Sequence, residues 1–133
     1  MRFLRPVLAL LLSFAAVPLA AQNHTGVVPV GTYALVPDSG YAGPDLTSFA
    51  VTFRSDSSMT IMSPDGTLIV KSKLAYEGET VTLNDLDGSN VCPYAGKYAI
   101  VGDAKAFKLS LIADGCPDRS QIVAGLKWVK LEK

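Results

Sequence analysis

Along most of the chain, apolar and polar residues alternate in short runs. Phe49-Ala-Val51-Thr-Phe53 puts three large apolar residues on one side and smaller ones on the other, the two-residue period of a half-buried strand. The same kind of run recurs at Gly31–Val36, Met59–Ile61, Leu68–Tyr76, Thr80–Leu83, Lys97–Val101, Phe107–Ala113 and Leu126–Leu131. In the Leu68–Tyr76 run, Lys71 and Lys73 fall on the outward side. Turn formers separate the runs: Pro37–Asp45, Ser55-Asp56-Ser57, Ser63-Pro-Asp65-Gly66, Glu77-Gly78, the Asn84–Asn90 loop and Gly102–Lys105. One segment, Pro117–Gly125, looks like a helix start and has room for a turn or two.

Eight short strands at roughly ten-residue spacing predict an all-β fold. Short connections between sequential strands favour an eight-stranded antiparallel up-and-down barrel, with a short helical turn before the last strand. Closure removes the edges and leaves an interior just wide enough for side chains or one small ligand. The expected inward set is Tyr33, Leu35, Phe49, Val51, Phe53, Ile61, Leu68, Val70, Leu74, Val81, Leu83, Tyr98, Ile100, Phe107, Leu109 and Leu111, with Trp128 closing one end.

The run from Cys92 to Arg119 reads as a hairpin turning at Gly102-Asp103-Ala104-Lys105. A turn centred on Asp103-Ala104 sets Tyr98 opposite Leu109 and Ile100 opposite Phe107. It also brings Cys92 beside Gly115, one position from Cys116, so the only two cysteines meet at the open end of the hairpin. A structural disulfide is expected; closing a loop of about 25 residues corresponds to roughly 3.5 kcal/mol of stabilisation. A redox pair or a metal pair is the alternative, and the close Cys-x-x-Cys spacing usual for those is absent.

The beginning of the chain changes the compartment. A basic Met1–Arg5, an apolar Val7–Ala16 and small residues through Ala21 have the order of a secretory signal peptide cleaved near Ala21. The apolar run is short for a membrane span. The expected division is signal peptide 1–21, N-terminal tail 22–30 and barrel domain 31–133, in a secreted or periplasmic protein. Loss of Arg2 and Arg5 takes the chain from 12 basic and 12 acidic residues to a net charge of −2. That balance argues against a nucleic-acid partner, and there is no polybasic patch or later segment for membrane insertion.

Chemistry is scarce. The sole histidine, His24, lies in the tail, so a Ser–His–Asp or Cys–His mechanism has no base within the domain, and no catalytic residue, metal site or cofactor is predicted. Asn84–Ser89 resembles a calcium loop only superficially: with Gly88 sixth, Leu83 stands first and Tyr94 twelfth, where oxygen ligands are needed.

Gly31-Thr32-Tyr33 at the first strand, eight short strands, Cys92, Gly96-x-Tyr98 and Asp114-x-Cys116-x-x-Arg119 together resemble small bacterial exported lipocalin-like (calycin) proteins of uncharacterised function, over about residues 31–131. Lipocalins open with Gly-x-Trp, over which a late Arg packs; here Tyr33 replaces the Trp, and Arg119 stands for the Arg in a different context. The resemblance implies a barrel with one closed and one open end. Proteins of this fold bind small apolar molecules, inhibit proteases or serve structural roles. Arg119 then reads either as an anion anchor at a pocket or as a structural group stacked on Tyr33 or bonded to loop carbonyls.

Two functions follow as expectations. The first is carriage of a small apolar or lipid-like ligand in the barrel. Its expected cavity residues are Tyr33, Phe49, Val51, Phe53, Leu68, Val70, Tyr98, Ile100, Phe107, Leu109 and Arg119. The second is binding of a protein partner, as a protease inhibitor or envelope assembly factor, by the tail and the Pro37–Asp45 loop around a filled barrel.

Overall fold

A computed structural model describes residues 26–132. Eight antiparallel strands close into a barrel in chain order: β1 (Gly31–Pro37), β2 (Ala50–Phe53), β3 (Ser58–Met62), β4 (Leu68–Glu77), β5 (Thr80–Asp87), β6 (Gly96–Gly102), β7 (Ala106–Asp114) and β8 (Leu126–Lys130). One helix, α1 (Pro117–Gly125), precedes β8. β1 closes against β8 with Leu35 opposite Trp128. The expected signal peptide, His24 and the first part of the tail lie outside the described residues. No helix among those described is long and apolar enough to cross a membrane.

The alternation read from the sequence sets the faces. Tyr33, Leu35, Val51, Phe53, Ile61, Val70, Leu74, Val81, Leu83, Tyr98, Ile100, Phe107, Leu109 and Trp128 are buried in one continuous core. Phe49, expected to open its strand, is half-buried in the connection just before β2, and Leu68 is half-buried at the start of β4. Leu111, expected inside, is 49% exposed. Only the first three residues of β7 pair with β8, so Leu111 lies on a stretch of β7 that the neighbouring strand does not flank.

The β6–β7 hairpin is displaced from its expected register. Tyr98 faces Leu111, Ile100 faces Leu109 and Gly102 faces Phe107. The turn is centred one residue later than expected, on Ala104-Lys105. The Asp103 carboxylate accepts the N–H groups of Lys105 and Ala106 at 2.8 and 3.0 Å, and Asp103 N–H reaches Ala106 O at 3.0 Å. From Tyr98 to Gly102 the displacement is even and leaves these side chains on their faces, so the core survives the change; an irregularity between Lys97 and Tyr98 shifts the pairing by one more and sets Gly96 opposite Asp114. β5 also runs further than expected, through Asp87 rather than stopping at Leu83. The Asn84–Asn90 segment is therefore half strand, with Ser72 opposite Asp85.

One end of the barrel is filled by rings. Tyr33 meets Phe53 and Phe107 edge-on at 5.1 and 5.5 Å between centroids, and Phe107 stacks on Trp128 at 5.9 Å. Phe53 contacts both Phe107 and Trp128 edge-on at 6.0 Å. These are the offsets that ring quadrupoles favour. The described part of the tail seals this end. Val28 is buried, and Tyr33 donates its hydroxyl proton to Pro29 O at 2.7 Å.

Candidate functional site

The opposite end is hollow. A cavity of about 550 Å³ opens between β3–β5, the β1–β2 and β5–β6 connections and α1. Phe49, Met59, Ile61, Val70, Leu83 and Val123 form its apolar wall. Leu46 and Phe49, from the long β1–β2 connection, and Ile122, from α1, pack against the core beside it. A wider depression of about 1190 Å³ lies at the closed end, but Thr32, Thr52, Arg54 and Lys105 face outward there, which makes it a surface hollow rather than a barrel interior.

Polar groups gather on one side of the cavity, and α1 brings the central one. Pro117 at the first helical position starts the helix without an unsatisfied N–H. The helix then carries Arg119 over the ends of β5, β6 and β7. Arg119 grips Asp114 in a two-point pair, with Nε to Oδ2 at 2.8 Å and Nη2 to Oδ1 at 2.7 Å. Nη2 also donates to Tyr94 O at 2.6 Å. Tyr98 donates its hydroxyl proton to Asp114 Oδ2, and Cys116 N–H reaches Oδ1 at 2.8 Å. On the other side of Arg119, Asp85 Oδ2 lies 3.2 Å from Nη1. Asp85 accepts the Ser72 hydroxyl at 2.7 Å and Cys92 N–H at 3.0 Å.

The two half-cystines are thus built into the same network. Cys92 and Cys116 form a disulfide, and the N–H of each bonds to one of the two acids that flank Arg119. Gly96 makes room for it. A Cβ at that position would sit 2.5 Å from Asp114 Oδ2 and 2.7 Å from Arg119 Nη2. Cys92, Asp114 and Cys116 bring sulfur and carboxylate atoms together as a metal site would, but both sulfurs are in the disulfide and the carboxylate is fully engaged.

Burial and charge set the titration of the network. Burial pushes Asp114 up, but Arg119, the Tyr98 hydroxyl and Cys116 N–H outweigh it and hold its carboxyl below the usual range. Burial likewise works against the Arg119 charge, and the two carboxylates more than restore it, raising its affinity for its proton. Tyr98 is pushed up by burial first and by its bond to Asp114 second. Tyr33, far from the network, is pushed up to about 12 by burial and by neighbouring Tyr76.

Of the residues expected to line a cavity, Phe49, Val70 and Arg119 do so. Tyr33, Val51, Phe53, Ile100, Phe107 and Leu109 are packed into the solid core, Tyr98 lies beneath the ion pair, and Leu68 sits half-buried at the start of β4. Arg119 does not stack on Tyr33, whose ring neighbours are Phe53 and Phe107; it hydrogen-bonds a loop carbonyl and Asp114 and forms an ion pair with Asp85. Ser72, Asp85 and Asp114 were missed as site residues. For the first two the signal was present: Ser72 shares the parity of Val70 and Leu74, and Asp85 that of Val81 and Leu83, so both point inward on strands whose other inward residues are apolar. No family model, curated protein or solved structure matches the chain, which leaves the geometry of this end as the ground for a functional reading.

Proposed function

We propose that the protein is an exported, lipocalin-like carrier or sensor of a small, largely apolar ligand held in the open end of the barrel. The observation that carries this reading is the cavity of about 550 Å³, inside the range of small-molecule sites, with a mostly apolar wall and a few convergent polar groups. A barrel meant only as a scaffold gains stability by filling such a space, since each missing methylene forfeits contacts. Export fits the disulfide, which persists in oxidising compartments. It also assigns residues 1–21 to a signal peptide, with a mature N-terminus expected at Gln22 or within a residue or two.

The test is native mass spectrometry of protein purified from its own host. The expected result is a co-purifying mass of lipid size that is lost in Val70→Phe, which fills the cavity from its wall. Protein that is empty on isolation, and that takes up no apolar compound afterwards, would sink the reading.

A second reading, a protein-binding module, is supported by Leu111 and Ile112, exposed on the half of β7 that lacks a strand neighbour on its β8 side. The described tail packs on the barrel and the Pro37–Asp45 loop is tied at its start to the end of α1, while most of the loop stays exposed. Val28 is buried, and Asp38 N–H donates to Gly125 O at 3.0 Å.

A further inference from the structure

Charge on the cavity wall bears on what a ligand carries at its head. Among the described residues Arg119 is the sole basic side chain on that wall, while Asp85 and Asp118 both lie on it. Arg119 has no donor left for an anion. Nε and Nη2 are bonded to Asp114 and Tyr94 O, and Nη1 is enclosed in its ion pair with Asp85 at 3.2 Å. Its single positive charge is also divided between two carboxylates, Asp114 and Asp85, whose side chains are 0% and 2% exposed. The other partners of these acids are the Ser72 and Tyr98 hydroxyls and the N–H groups of Cys92 and Cys116, which bind the oxygens without adding charge. Two carboxylates against one guanidinium leave an excess of negative charge buried beside the cavity, where it is screened far less than in water.

Asp118 adds to this excess at the rim. It is exposed, stands in the first turn of α1, and belongs to none of the ion pairs among the described residues, which join Lys108 to Asp38 and Arg119 to Asp85 and Asp114. An anionic head would enter against the field with no free guanidinium donor to receive it. A neutral head would gain nothing from the field. An ammonium head at the rim would meet Asp118, keep part of its hydration, and lie in the field of the buried acids while its chain entered the apolar space.

We propose that the ligand is a cationic amphiphile, its ammonium against Asp118 at the rim and its apolar chain along Met59, Ile61, Val70 and Leu83. This rests on the carrier reading above and narrows it to amines and quaternary ammonium compounds with an apolar tail.

Isothermal titration calorimetry at neutral pH and low salt, with decylamine, decanol and decanoate as probes of one chain length, tests it. Decylamine is expected to bind at least about tenfold tighter than decanoate, the scale of reversing one charge near a weakly screened excess, and several-fold tighter than decanol. Asp118→Asn is expected to reduce the preference for decylamine over decanol about two- to fivefold, the scale of a partly exposed ion pair. An acid in the first turn also suits the helix dipole, so the readout is that ratio: a loosened helix would weaken both probes together. Decanol or decanoate binding as tightly as decylamine would overturn the cationic head, and loss of that binding in Val70→Phe would leave the carrier standing. An amine preference undiminished in Asp118→Asn, or amine binding untouched by Val70→Phe, would overturn the placement of the head or of the chain. No binding of any of the three probes to the wild-type protein would overturn both this inference and the carrier.

Discussion

The two ends of this barrel are made from the same eight strands and finished by opposite means. At one end four rings, Tyr33, Phe53, Phe107 and Trp128, occupy the interior, and a short piece of chain, Val28–Pro29, lies over them. At the other end the inward positions are taken by smaller or polar groups, Ile61, Val70, Ser72 and Asp85, and the space they leave is roofed by α1 and braced by Arg119 and the disulfide. Burial of the rings fills this end densely and excludes water, and that fixes the barrel here. The brace is directional. It ties α1 to the ends of β5 and β7 beside the cavity through hydrogen bonds, an ion pair and a covalent link. Division of labour along one barrel explains how a chain this short keeps both a core and a cavity.

Truncation of a ring should show the largest effect. Trp128→Ala removes the largest fully buried side chain, which touches both Phe53 and Phe107. A loss of about 3–5 kcal/mol in unfolding free energy is expected from denaturant titration. A loss below about 1 kcal/mol would mean that the closed end does not carry the fold, and the contrast between the ends would fail. Removal of the disulfide, as a double Cys92→Ala, Cys116→Ala variant, is expected to cost about 3.5 kcal/mol. Its imprint should be local. Amide exchange should accelerate at α1 and around Cys92 while the amides of Tyr33, Phe53 and Phe107 keep their protection relative to global stability.

A matched pair of enlargements sharpens the comparison further. Val51 is fully buried between Tyr33 and Ile61 on the neighbouring strands, and Val51→Phe is expected to destabilise by about 1–3 kcal/mol through overpacking. Val70 stands on the cavity wall, and Val70→Phe has empty space to enter, so its effect is expected to stay within about 0.5 kcal/mol. Equal destabilisation by both would mean that the cavity is not open space in solution.

The same asymmetry governed what could be read from the sequence. The closed end was legible because its determinants are periodic: Tyr33 and Leu35 on β1, Val51 and Phe53 on β2, and Phe107 and Leu109 on β7 are each separated by one small or polar residue, and such alternation specifies which face turns inward even where the pairing register is displaced by two positions. The open end was only partly legible. Asp85 stopped the reading of β5 because a carboxylate interrupts an apolar alternation, yet it lies inward because Ser72, Cys92 N–H and Arg119 meet it there. Those partners come from β4, the connection before β6, and α1. No periodicity within one segment announces a group satisfied by three others. The cysteine pair was legible for the opposite reason: the two residues flank one hairpin, whose pairing brings the chain on either side of it together. Arg119 was singled out by its position, but its partners were not, and they determine whether it can serve a ligand at all.

The smallest expected effect is the acid limb of stability, and it separates the ends by charge. Below the usual carboxylate range the closed end has no buried acid to lose, since its rings do not titrate there. At the open end Asp114 sits under Arg119 and Tyr98 with its folded affinity for protons lowered. A lowered folded pKa means that its contribution is present above the unfolded value of about 3.9 and is lost as pH falls through the lower, folded value. Urea midpoints measured downward from neutral pH should therefore hold until about pH 4 and then decline. Several exposed aspartates, among them Asp56 and Asp103, are lowered by turn hydrogen bonds and add to the decline with the same sign. Asp114→Asn distinguishes them. It should lower stability at neutral pH, because Arg119 loses its charged two-point partner, and it should flatten the decline below pH 4 relative to wild type. Asp103→Asn, out in the β6–β7 turn, should change the neutral value little. An Asp114→Asn variant whose acid limb runs parallel to that of the wild type would show that the ion pair under α1 contributes nothing to the pH dependence, and that the roof of the cavity is held by the disulfide and apolar contacts alone.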